Sequence, residues 1–146
     1  MATVLFVDDE EGPLRWHCIM LEKTGGHTVA FYRFAEDAMR HIESVAQAEA
    51  PDIIILDINM PADGRYANDP TNTDGRRTGI RLLRDLCRVF KSIPPIVILT
   101  QLRNPEILAE AREVYDKVVI LDKLAASPRA LLDEVNILLE SAQKAE

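Results

Sequence analysis

Cysteine is scarce, with only Cys18 and Cys87 in 146 residues, far apart and each inside an apolar helical pattern. That excludes a disulfide framework and favours two reduced packing residues over thiol chemistry. Basic charge is also in deficit: 17 Lys and Arg face 24 Asp and Glu, a formal net charge of −7. Broad association with nucleic acid is therefore not expected. The one basic cluster, Arg76, Arg77, Arg81, Arg84 and Arg88, reads as a solvated helix face whose long side chains cover apolar surface. Long apolar runs are missing, since those at 53–56, 96–99 and 118–121 are too short to cross a bilayer. The first residues show neither a basic region nor a cleavage-like segment, so a cytoplasmic protein without membrane insertion is expected. There is no Gly-rich phosphate loop either, because Gly25-Gly26 follows a helix and precedes a strand.

What the chain does have is a regular alternation. At 47% hydrophobic it can bury one ordinary core. Thr3 to Val7 is a β-branched and apolar run ending in Asp8-Asp9-Glu10-Glu11. A helix is expected over 13–23 from Leu14, Cys18 and Leu21, with Gly25-Gly26 as its stop. Thr28 to Phe31 reads as a second strand, and Ala35, Met39, Ile42 and Val45 or Ala46 as a second helix. Ile53 to Leu56 is continuously apolar, as in a parallel sheet covered on both faces, and ends at Asp57. Residues 61–77 are rich in turn formers, too long for an ordinary βα connection. A third helix carries Ile80, Leu83, Leu86 and Cys87, with its cap expected near Thr78. Ile96 to Leu99, then Thr100, gives the fourth strand, and Asn104 or Pro105 opens the fourth helix. Val118 to Leu121 forms the fifth strand before Asp122-Lys123, and a last helix spans about 128–143, leaving Ser141 to Glu146 as a polar tail. The fold class is α/β, an open, mostly parallel sheet with helices on both faces. Its ligand site is expected at the carboxyl ends of the strands.

Asp8, Asp9, Asp57, Thr100 and Lys123 all follow strands, so a parallel sheet gathers them at one edge. Taken singly, each acid also fits a turn or helix cap. Three carboxylates sharing one pocket repel unless a cation intervenes, and Lys123 supplies one charge. Mg²⁺, with Mn²⁺ as an alternative, completes such a set through oxygen ligands. Asp9, Asp57 and the Asn59 main-chain carbonyl are candidates, with Asp8 a ligand directly or through water. Asp57 is then a carboxylate nucleophile toward phosphorus, with Lys123 and the Thr100 hydroxyl holding phosphoryl oxygens.

Val-Asp-Asp-Glu at 7–10, Ile-Leu-Asp-Ile-Asn-Met-Pro at 55–61, Ile-Val-Ile-Leu-Thr at 96–100 and Lys123 together resemble the receiver domain of bacterial response regulators over almost the whole length. The resemblance implies a flavodoxin-like five-stranded parallel sheet of order 2-1-3-4-5 and a single receiver domain over 1–146 without an output domain. It implies a phosphorelay role in which a histidine kinase or a histidine phosphotransfer protein delivers a phosphoryl group to Asp57. The receiver would catalyse its own phosphorylation and dephosphorylation without being a conventional enzyme. Output would run through an unknown downstream protein, onward transfer or a homodimer.

Several positions depart from the family pattern. Leu124 follows Lys123 where proline is usual, so the loop need not be shaped in the same way. Ile120 replaces the aromatic of the switch position, leaving any coupling between Thr100 and Ile120 without aromatic rotation. Gln101 stands where a small residue is frequent and would crowd or bond the acyl phosphate. The segment 62–76 is an extended loop beginning beside Asp57, expected to cover the site or to meet a partner, unless it is a tolerated insertion. Two competing readings follow. A phosphohydrolase would need an acid at position 59, where Asn59 cannot donate a proton. A receiver-like protein-binding module acting without phosphorylation is the stronger alternative.

Overall fold

β-branched and apolar residues form five short strands: β1 (Thr3–Val7), β2 (Thr28–Tyr32), β3 (Ile53–Leu56), β4 (Ile96–Thr100) and β5 (Val119–Asp122). In the computed structural model, which describes residues 1–45 and 49–144, they make one parallel sheet of order β2-β1-β3-β4-β5. Every residue of β3 is buried, as its unbroken apolar run requires for a central strand covered on both faces. The period-two alternation of strands divides the core in two. Leu5, Val7, Ile54, Leu56 and Ile98 face one way, toward α2 (Ala35–Ser44), α3 (Thr78–Val89) and α4 (Pro105–Val114). Val4, Phe6, Ile55, Val97 and Leu99 face the other way, toward α1 (Arg15–Ile19) and α5 (Pro128–Lys144).

The helices follow their sequence signals with three differences. The helix expected over 13–23 begins at Arg15 and continues from α1 into a π-helical segment, Met20–Thr24. There the Gly25 N–H reaches back five residues to the Met20 carbonyl. α5 runs on through Lys144, so most of the expected polar tail is helical. The third difference is Thr78: the residue is fully buried within the first turn of α3 and makes no cap. α4 opens as expected, with Asn104 Oδ1 accepting from the N–H groups of Glu106 (2.9 Å) and Ile107 (3.3 Å). Val45 lies just beyond α2, whereas the alternative position for its end, Ala46, lies outside the described residues. Cys18 and Cys87 are free and half-buried against opposite cores.

Residues 62–76 are strapped to helices. Tyr66, in a 3₁₀ turn (Gly64–Tyr66), enters the core and donates its hydroxyl to Asp85 Oδ2 of α3 at 2.9 Å. Arg65 binds Glu36 of α2 through its N–H and Nε, and Glu43 through both terminal nitrogens. Those bonds from the Arg65 guanidinium and N–H hold Glu36 below the ordinary glutamate range. Further on, Arg81 of α3 bonds Asp69 and Thr71. Four of the five clustered arginines are paired with acids: Arg76 with Asp74, Arg77 with Glu110, Arg81 with Asp69, and Arg88 with Asp85.

Candidate functional site

Parallel pairing brings the carboxyl ends of β1, β3, β4 and β5 to one edge. The ladder continues past the strands: Asp8 N–H bonds the Tyr32 carbonyl, Asp57 N–H the Val7 carbonyl, and Lys123 N–H the Thr100 carbonyl. Asp8, Asp57, Thr100 and Lys123 are all buried there, with Lys123 only 8% exposed. Lys123 Nζ lies 2.8 Å from Asp57 Oδ2 and 2.8 Å from Asp8 Oδ2, with Glu10 Oε1 at 3.8 Å. The Asp57 contact is an aligned hydrogen bond, whereas Asp8 Oδ2 is ion-paired but off hydrogen-bond alignment. Asp57 Oδ1 accepts from the Ile58 N–H at 2.7 Å, which fixes the carboxylate plane.

The charges do not balance. Asp8, Asp9, Glu10 and Asp57 each offer a carboxylate oxygen, and these oxygens lie within 4.8 Å of one another. One ammonium faces them. Burial pushes the Asp8 carboxyl up from 3.8 to about 6; the Lys123 ammonium opposes this and the neighbouring Asp57 charge adds to it. For Lys123, burial alone would lower the pKa, but bonding to Asp57 and Asp8 prevails and holds it above the ordinary lysine value. Asp9 Oδ1 is buried without a hydrogen-bond partner. A dense oxygen set with an unpartnered buried member suits a small hard cation, whose opposite octahedral ligands stand about 4.2 Å apart.

Asp8, Asp9, Asp57 and Lys123 thus share the pocket expected of them. Thr100 sits at the same edge, its Oγ1 accepting from the Leu102 N–H at 3.1 Å. Asn59 follows the Asp57 turn, its N–H 3.4 Å from Asp57 Oδ1. Ile120 is half-buried in β5 against the core that faces α4; the register sets it opposite Ile98, while Thr100 faces Asp122. The loop after Lys123 is shaped by Asp122, whose Oδ1 accepts from Leu124 N–H and whose carbonyl accepts from Ala125 and Ala126. Arg103 bonds Asp122 Oδ2 at 2.9 Å, tying the loop after β4 to the loop after β5. Among the described residues, no hydrogen bond or ion pair from 62–76 reaches the Asp8, Asp9, Asp57 or Lys123 side chains.

Sequence reasoning left out Glu10 as a pocket member, although it adjoins Asp9. It also left out Gly79, against which Asp57 packs: a Cβ there would run into the Asp57 carbonyl oxygen.

No protein-family model and no curated protein matches the sequence. Solved structures do. A response regulator receiver domain protein from Methanospirillum hungatei superposes with a TM-score of 0.74 at 18% identity, covering 100% of this chain and 99% of that one. The chemotaxis response regulator CheY4 of Vibrio cholerae gives 0.70 at 24% identity over 94% and 98% of the two chains. A two-component response regulator from Clostridium difficile gives 0.71 at 18% over 96% and 97%. The chain has the receiver-domain fold. At such identities the likeness is one of architecture, and in this receiver fold the acidic pocket occupies the carboxyl edge where open α/β sheets bind ligands.

Proposed function

We propose that this chain is a two-component signalling receiver that accepts a phosphoryl group on Asp57 from a phosphohistidine donor, a histidine kinase or a histidine phosphotransfer protein, with Mg²⁺ or Mn²⁺ held by Asp8, Asp9, Asp57 and the Asn59 carbonyl. The observation that carries the reading is Lys123, bridging Asp57 and Asp8 beside the unpartnered Asp9 oxygen. Glu10 joins the candidate ligands. When bound, the cation offsets the excess carboxylate charge and draws in phosphoryl oxygens.

The protein's own groups do the rest. An Asp57 carboxylate oxygen forms the bond to phosphorus as the phosphorus–nitrogen bond of the donor breaks and its electron pair returns to the imidazole. Ile58 N–H holds the carboxylate in place. Lys123 is already at hydrogen-bond distance from Asp57 and offers its ammonium to the transferred group. The Thr100 hydroxyl accepts from Leu102 N–H, which leaves its own hydrogen free for a phosphoryl oxygen. The Asn59 amide has no acidic proton to transfer to a leaving group, which weighs against a phosphohydrolase. Water later cleaves the acyl phosphate, and output passes through protein contacts of this cytoplasmic receiver domain, with a downstream protein or a second copy.

Intact-mass spectrometry after incubation with acetyl phosphate tests this. One phosphoryl adduct is expected in the wild type with Mg²⁺, and none with EDTA or in Asp57→Asn. Absence of both the adduct and beryllium fluoride binding would refute the phosphoacceptor reading in favour of a binding module, which the Asp122-shaped loop and Ile120 would then serve.

A further inference from the structure

The Asn59 carbonyl is aimed by residues of the long loop. A trans peptide is planar, so the carbonyl of Asn59 and the N–H of Met60 point in opposite directions. Met60 N–H donates to the Gly75 carbonyl at 3.1 Å. The Asn59 carbonyl is therefore turned away from the loop, and among the described residues it accepts no hydrogen bond. On its other side the Ile58 carbonyl is taken by Gly79 N–H at 2.9 Å, so the segment after Asp57 is held at both ends.

Gly75 can present its carbonyl this way because its φ is +76°, and a Cβ there would come within 2.5 Å of the Met60 carbonyl oxygen. What holds Gly75 is Asn72, only 1% exposed in a loop otherwise rich in exposed polar residues. Its carbonyl accepts from Gly75 N–H at 3.3 Å, its Oδ1 accepts from Arg77 N–H at 2.6 Å, and its Nδ2 donates to Thr78 Oγ1 at 2.9 Å. Thr78 is fully buried, and its N–H returns to the Gly75 carbonyl at 3.3 Å.

We infer that Asn72 is a positioning residue for the cation site: it closes the 72–78 turn, the turn presents the Gly75 carbonyl to Met60, and the Met60 peptide orients the Asn59 carbonyl toward the ion. This rests on the cation reading above and gives the loop a chemical role that needs no movement over the pocket.

Isothermal titration of Mg²⁺ into the metal-free protein, with amide hydrogen exchange at Met60 recorded without metal, tests it. Asn72→Ala should bind Mg²⁺ about tenfold more weakly, the lower end for a group that orients a ligand, and should exchange Met60 faster. Thr78→Val keeps the buried shape, removes half the anchor and should shift both readouts in the same direction by less. Tyr66→Phe loses a loop contact to α3 outside this turn; it should melt lower yet bind Mg²⁺ like the wild type. Unchanged affinity in Asn72→Ala and Thr78→Val, or an equal loss in Tyr66→Phe, overturns the inference. If Asn72→Ala does not fold, Thr78→Val against Tyr66→Phe decides it. A wild type that takes up no Mg²⁺ would overturn the cation reading and this inference together, whereas a binding wild type with unaffected variants overturns the inference alone.

Discussion

Asp8→Asn should make the metal-free protein more stable at neutral pH. Asp8 is wholly buried and holds its proton to about pH 6 in the folded chain, against 3.8 as the ordinary value. Between those two pH values the folded state carries a proton that the unfolded state has lost, so stability falls as pH rises through this window. Above pH 6 the loss is complete, on the order of 3 kcal/mol at 1.36 kcal/mol for each tenfold change. Asparagine removes the charge but leaves a buried amide facing Lys123, which returns about 1 kcal/mol of that gain. A net stabilisation of about 2 kcal/mol at pH 7, or about 4–8 °C for a chain of this size, is expected. Urea denaturation of wild type and variant in EDTA, repeated from pH 4 to 8, measures it. The difference between the two curves should open over pH 4 to 6 and then stay level, and Mg²⁺ should narrow it by stabilising the wild type more. A variant no more stable than wild type at pH 7, or a difference that does not change with pH, would refute the electrostatic argument.

Two further substitutions probe the frame around the pocket. Gly79→Ala should lose about 1–3 kcal/mol in denaturant melts and slow phosphorylation by acetyl phosphate, because the added methyl meets the Asp57 carbonyl from the start of α3. Asp122→Ala should cost only about 1 kcal/mol, yet lower the phosphorylation rate in intact-mass time courses, since Leu124 N–H and Arg103 both lose their partner beside Lys123; equal rates would show that the loop holds Lys123 without Asp122.

The sheet was readable because four of its strands carry unbroken apolar runs and its turns carry Gly, Pro or Asp. The pocket was readable for the same reason: Asp8, Asp57 and Thr100 each sit where such a run stops, and Lys123 one residue beyond. The switch to a π-helical segment at Met20–Thr24 was not, since Leu14, Cys18 and Leu21 suit an ordinary helix and a wider turn leaves little trace in spacing. Thr78 opens α3 where expected but caps nothing, because its hydroxyl meets Asn72, a partner six residues earlier in a stretch without apolar period. Tyr66 was hidden likewise, one aromatic among turn formers whose burial depends on α2 and α3 closing around it. Glu10 was in plain view within an acidic run, but composition cannot say which member of such a run reaches toward Lys123.

Tyr66 makes the insertion hard to reverse. A graft that shortened 62–73 to a tight connection would remove a ring from the seam between α2 and α3 together with the Arg65 clamp on Glu36 and Glu43, leaving a hole where the trimmed surface was meant to be. Amino-acid drift across this stretch should therefore be tolerated unevenly, freely at exposed Pro70 and Thr73 and scarcely at Tyr66 or Asn72. A chimera builder would do better to treat these residues as an extra layer of the domain than as a removable connector.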